Sequence, residues 1–442
     1  MTTKEPGHCL LGALQQGGLH KTQTITSVVR ASSLIIQSLY DEHLHSSNNP
    51  FERRTRRCRS IGDNLRSAVQ SKIRSYIFAN FPLRVIKLPE MRLMDRSAVV
   101  DYLVKAKLEI VVRQAEAVAQ EARDKTISKS VEDIARYAIL SHTWEVDEPS
   151  YQDFHHPSSR GKQGYKKLEN FCNIAHEDYG AEFAWADTVC IDKSSSAELD
   201  ESIRSMFAWY RNAAICIAYV GQTISLFNLA ADRWFTRGWT LQELLAPLRL
   251  KFYNKDWFPL THFRNDKIRE GDVKKLSGET YSFQFRLLGD AILTATGIEP
   301  HHFRDFEPGF GDPSLPERMR WVARRLTTRA EDKSYCMMGI FGVSMLVAYG
   351  EGPERAFFRL FQAILGVECR RDWFLWTGKA VPRHIHPSRM IPSGPECYLS
   401  SNSKISASGI CAIGVIRRSF ELDQHRFIDE PAGCSCTHRY PR

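Results

Sequence analysis

The feature that most constrains this chain is a regular alternation between residues 137 and 253. Short apolar runs suited to buried strands take turns with stripes of helical spacing. Tyr137-Ala-Ile-Leu-Ser-His142 opens the series. Tyr165, Leu168, Phe171, Cys172 and Ala175 then fall on one face of a helix. Phe183-Ala-Trp-Ala-Asp-Thr-Val-Cys-Ile191 reads as the second strand. Ser195-Ser-Ala-Glu198 is a capping-box pattern, and Leu199, Ile203, Met206, Phe207 and Tyr210 form the helical stripe behind it. Ile215-Cys-Ile-Ala-Tyr-Val220 is β-rich, residues 240–246 are helical up to Pro247, and Leu248-Arg-Leu-Lys-Phe-Tyr253 is a fourth strand. The order β-α-β-α-β-α-β needs crossover connections. It predicts an α/β fold, a parallel sheet flanked by helices. Ligands of such sheets bind at the carboxyl ends of the strands, which directs attention to residues 141–144, 187–192 and 221–243.

The flanks divide the rest. Residues 1–60 are rich in Ser, Gly, Gln and Asn and read as a disordered basic segment, with one short helix at 27–40. Residues 61–130 form a mixed, helical segment: Phe81-Pro-Leu-Arg-Val-Ile-Lys-Leu-Pro89 is extended, and residues 99–123 have helical spacing. Residues 131–255 are the core domain. Residues 256–368 form a mainly helical extension, and residues 369–442 a poorly defined tail.

Charge and cysteine use narrow the function classes. Residues 1–130 carry 21 Lys+Arg and 12 Asp+Glu, which accounts for the whole net charge of +9. The run Arg53, Arg54, Arg56, Arg57 and Arg59 reads as a solvated linker, with a nuclear address as the alternative. A nucleic-acid binder led by this basic segment is a third, weaker reading, and it predicts binding that collapses with salt and disappears without residues 1–60. Eleven cysteines without a framework spacing indicate reduced thiols and a cytoplasmic chain. The apolar stretch 336–350 is too short for a membrane span and reads as core.

Three blocks carry a resemblance. They are Tyr137-Ala-Ile-Leu-Ser-His-Thr-Trp144, then Trp185-Ala-Asp-Thr-Val-Cys-Ile-Asp-Lys193 running on to Ser205-Met-Phe-Ala-Trp-Tyr210, and Trp234-Phe-Thr-Arg-Gly-Trp-Thr-Leu-Gln-Glu-Leu-Leu-Ala-Pro247. In residue type, order and spacing they resemble the fungal heterokaryon incompatibility (HET) domain family. Thr327-Thr-Arg-Ala-Glu-Asp-Lys-Ser-Tyr-Cys336 and Tyr349-Gly-Glu-Gly352 resemble the helical extension of its vegetative-incompatibility subgroup. The resemblance implies an effector of allorecognition, a form of innate immunity ending in programmed cell death. It also implies other incompatibility or sensor proteins as partners. Some relatives carry a nucleotide-binding domain after this region. No GxxxxGK[ST] P-loop occurs here, so a separate sensor is expected.

A second, weaker resemblance bears on mechanism. The strand–helix order is that of Toll/interleukin-1 receptor (TIR) domains, which are flavodoxin-like. Trp239-Thr-Leu-Gln-Glu-Leu244 stands where many TIR domains carry Trp-x-x-x-Glu-Leu. That resemblance implies that Glu243 is the catalytic residue of an NAD glycohydrolase that works as a homo-oligomer. NAD would be a substrate, and no bound cofactor is implied. One carboxylate near the ribose stabilises an oxocarbenium-like transition state. Trp144 and Trp239 offer stacking faces, and Arg237 offers a phosphate clamp. Ser141, His142 and Cys190 complete the strand-end set, with a Cys–His nucleophile as a minor reading. Asp187 and Asp192 flank Cys190, as turn and cap residues rather than cation ligands. Cys434-Ser-Cys-Thr-His438 is half a zinc motif without its second half, so no metal is expected. The reading from a different class is a non-enzymatic module that self-associates or docks a sensor protein.

Overall fold

A computed structural model describes residues 50–399 apart from 277, 310, 368–372 and 374. The expectations for residues 1–49, including the helix at 27–40, and for residues 400–442, including Cys434 and His438, lie outside the described residues. The described residues divide into two units between Ser71 and Lys72. The described part of the first unit, residues 50–71, belongs to one helix, α1 (Pro50–Asn80). The arginine run at 53–59 was expected to lack regular structure. It is helical instead: from Phe51 to Asn80 no proline or glycine interrupts the chain apart from Gly62.

After the end of α1 the second unit continues with a hairpin, β1 (Arg84–Lys87) and β2 (Arg92–Asp95). Asp95 then caps α2 (Arg96–Glu116), its carboxylate accepting from the Ala98 N–H at 2.8 Å. Helix α3 (Arg123–Ile134) follows. The helical stretch expected at 99–123 is thus two helices, broken near residue 117.

Next comes the alternating region, largely as its periodicity predicts. Its elements are β3 (Tyr137–His142), α4 (Gln163–Glu177), β4 (Phe183–Trp185), a helical turn α5 (Asp187–Cys190), α6 (Ser196–Asn212), β5 (Ile215–Tyr219), α7 (Thr240–Leu245) and β6 (Leu250–Tyr253). The second strand is shorter than its apolar run. Thr188, Val189 and Cys190 are buried in a helical turn, because burial alone does not distinguish a strand from a packed turn.

The sheet has six strands in the order β2-β1-β4-β3-β5-β6. Strands β4, β3, β5 and β6 pair in parallel, with Ile139 opposite Trp185 on one side and Cys216 on the other. Strand β1 joins β4 antiparallel, Ile86 opposite Ala184. The sheet is therefore mixed, which corrects the all-parallel expectation. Residues 84–95 belong to the core sheet rather than to a segment in front of it. Phe81 packs edge-on against Tyr137 at 4.8 Å and against Phe183 at 5.8 Å, binding the hairpin to the sheet.

The extension is helical as expected: α8 (Glu270–Val273), α9 (Glu279–Thr296), α10 (Pro300–Asp305), α11 (Leu315–Ala323), α12 (Asp332–Tyr335), α13 (Met338–Phe341) and α14 (Pro353–Leu365). Helix α14 buries Ala356, Phe357, Leu360, Phe361 and Ile364 on one face. At about 1.5–3 kcal/mol for each large side chain, this stripe anchors the extension. The stretch 336–350 is core only as far as Phe341; Leu346 is 67% exposed. Among the described residues no helix is long and apolar enough to cross a membrane.

Candidate functional site

The order of the parallel strands reverses at β3, whose successors β4 and β5 lie on its two sides. A crevice forms at the carboxyl ends of strands where the order reverses in this way. Here it is a cleft of about 270 Å³.

Ser141, buried near the end of β3, donates from Oγ to Oε2 of Glu243 at 2.5 Å. The same hydroxyl accepts from the Trp234 indole at 2.8 Å. Glu243 lies on α7 and is 6% exposed, with its side chain on the wall of the cleft. Burial pushes its carboxyl up to about 8, against the opposing pull of the Ser141 hydrogen bond. At neutral pH it is largely protonated.

His142, the next residue, turns to the other side of the pleat. Its Nε2 lies 3.2 Å from Oδ1 of Asp187, and its Nδ1 lies 3.5 Å from Oε1 of Glu148. Burial and the nearby Lys167 lower the imidazole pKa. Asp187 and Glu148 outweigh them and hold it above the ordinary value. Burial also raises Asp187, but bonds from His142 and Trp144 and the charge of Lys193 prevail, holding it at about 2. The Trp144 indole donates to Oδ2 of Asp187 at 2.9 Å. Lys193 lies over the Trp144 ring at 3.7 Å. Asp187 thus fixes both His142 and the partly exposed Trp144 at the mouth of the cleft.

The opposite wall comes from the extension. Thr328, Arg329, Asp332 and Tyr349 line the cleft beside Arg237 and Trp239. Tyr349 donates to Oδ1 of Asp332 at 2.8 Å and carries the Arg329 guanidinium at 3.9 Å over its ring. The buried Arg325 donates to the Arg237 carbonyl at 2.9 Å and to Oγ1 of Thr240 at 3.0 Å, holding the turn in front of α7. Gly238 N–H bonds the Leu326 carbonyl at 2.9 Å. A Cβ at Gly238 would stand 2.4 Å from the Thr327 methyl, so glycine permits this approach.

Of the residues singled out from the sequence, His142, Trp144, Asp187, Arg237, Trp239 and Glu243 line the cleft, with Ser141 directly behind Glu243. Cys190 and Asp192 do not line it. Cys190 is fully buried, and burial raises its thiol to about 12, which removes the thiolate a Cys–His nucleophile needs. Asp192 faces outward, accepting from Gln152 at 2.7 Å and from Ser194. Sequence reasoning missed Thr328, Arg329, Asp332 and Tyr349 as wall residues. The signal lay in the two extension motifs, 327–336 and 349–352, which contain all four.

The sequence model of the heterokaryon incompatibility protein (HET) family matches residues 137–226. The vegetative incompatibility protein HET-E-1 of Podospora anserina is 40% identical over 245 residues. That match covers 52% of this chain and 16% of the relative, so the chain spans a small part of that protein's length. No solved structure matches. Residues 137–226 thus carry a heterokaryon incompatibility (HET) domain.

Proposed function

We propose that this chain is an effector of heterokaryon incompatibility that drives cell death by hydrolysing NAD in the cleft. The family match and the name of the relative support the first part. The second part rests on one observation: the Glu243 carboxyl is set in the wall of a cleft that Trp144, Trp239 and Arg237 also line. The parallel strands run second-first-third-fourth across the sheet, the order of flavodoxin-like sheets, which supports the TIR-like reading.

At about 270 Å³ the cleft suits one end of a dinucleotide rather than all of it. The nicotinamide ribose would enter, with Trp144 or Trp239 against its ring and Arg237 and Arg329 toward the diphosphate. Nicotinamide leaves with the electron pair of the glycosidic bond. Water supplies the new C–O bond, giving ADP-ribose and a proton. Glu243 stabilises the positive charge on the ribose when ionised, and binds a ribose hydroxyl when protonated. Cys172, Cys190, Cys216, Cys336 and Cys397 are free and buried, which supports action inside the cell.

A second reading, a docking module for a sensor protein or another copy, is favoured by Glu243 being buried and already bonded to Ser141. The two separate on NAD consumption by the full chain at high protein concentration, beside Glu243→Gln with matched unfolding behaviour. Loss of NAD with the unmutated protein alone supports catalysis. Loss with neither protein rejects it and leaves the docking module.

A further inference from the structure

A second constellation, whose residues do not line the cleft, stands where α10 meets the loop that leads to α11. Helix α10 begins at Pro300, and its next two residues are His301 and His302. Their rings lie 3.9 Å apart. His302 is buried, with Trp321 of α11 5.8 Å from its ring, and its Nε2 lies 3.0 Å from Oδ2 of Asp312. One ligand atom from each of His301, His302 and Asp312 falls within 4.8 Å of the other two. The loop behind Asp312 is fixed: the buried Arg318 donates to the carbonyls of Gly309, Pro313 and Ile340.

We propose that His301, His302 and Asp312 bind one divalent transition-metal ion of the zinc class, clamping α10 to the loop before α11. Two imidazoles and one carboxylate are a donor set that zinc takes in sites with three protein ligands. Calcium and magnesium prefer oxygen donors. Atoms about 2.1 Å from a tetrahedral ion stand about 3.4 Å from one another. The His302–Asp312 pair, 3.0 Å apart, is already close to that spacing. The exposed His301 ring closes the remaining distance by rotating its side chain. Exposure of His301 and Asp312 leaves the fourth position to water.

The test uses the full chain stripped of metal by a chelator and titrated with Zn²⁺ and, for spectroscopy, Co²⁺. One equivalent is expected to bind, raising the Tm, with a cobalt spectrum that lacks a thiolate charge-transfer band. His301→Ala and Asp312→Asn replace exposed side chains, so both variants fold, and each weakens binding at least tenfold. Binding unchanged in both variants overturns the site, as does the absence of binding at micromolar metal. A thiolate band also overturns it, by placing the ion on cysteines such as Cys434 and Cys436.

Discussion

Ser141 and Glu243 stand 102 residues apart in the chain and share a buried hydrogen bond of 2.5 Å. The hydroxyl also serves Trp234, so one small side chain satisfies two buried groups. Replacing Ser141 with Ala orphans both. At roughly 1–3 kcal/mol per unsatisfied group, Ser141→Ala loses about 2–6 kcal/mol. Urea unfolding checks this as a lower midpoint at unchanged slope.

The same carboxyl gives stability a pH dependence of uncommon sign. Its folded value of about 8 lies above the ordinary 4.5, so between these limits the folded state binds more protons than the unfolded one. Stability conferred by the protonated form is present below 4.5 and is lost as pH rises toward 8. The slope is at most about 1.4 kcal/mol per pH unit. Glu243→Gln does not titrate, so its unfolding midpoint should be flatter across this range. A slope unchanged by the substitution would contradict the assignment.

Asp187 sets the charge of His142. Asp187→Asn removes the ionised partner, and the His142 titration followed by NMR should move to lower pH. A raised histidine contributes stability that is complete below its ordinary 6.5 and fades as pH rises through its folded value. Asp187, held at about 2, contributes above its ordinary 3.8. The variant should therefore lose most stability in the mildly acidic range between these limits, and less in alkaline solution.

Two glycines join the extension to the core with unequal strictness. A Cβ on Gly339 of α13 would stand 2.2 Å from Cβ of Phe207 on α6, an atom that no side-chain rotation can move away. Gly339→Ala should cost about 1–3 kcal/mol or more by overpacking. Gly238→Ala meets first a methyl of Thr327, which turns aside, so its effect should be smaller. Thermal unfolding of the two variants side by side checks the ranking.

Much of this arrangement was legible in the residues. Strands β3, β5 and β6 and helices α4 and α6 announce themselves by apolar runs and stripes. Of the capping box only half forms: Ser195 accepts from the Glu198 N–H, while the Glu198 carboxylate turns to Arg84 and the Asp192 N–H. His142, Trp144, Arg237, Trp239 and Glu243 were placed at strand ends, and the cleft gathers them there. Strands β1 and β2 were not legible as sheet members. Four residues beside a proline show that they are extended but not what they pair with. Nor was the second wall. That Asp332 faces Trp239 depends on packing between segments far apart in sequence, which no local period encodes. Cys190 was misplaced because buried turns and buried strands share one composition.

The recognisable segment of this family begins at Tyr137 and ends at residue 226. The sheet extends past both limits, to β1 on one flank and β6 on the other. A gene fragment cut to the recognisable segment would strip the cover from β4 and β5 together. Each would offer a row of unpaired amides to the next copy. The smallest piece that can pass between proteins without becoming adhesive is thus longer than the piece by which kinship is detected.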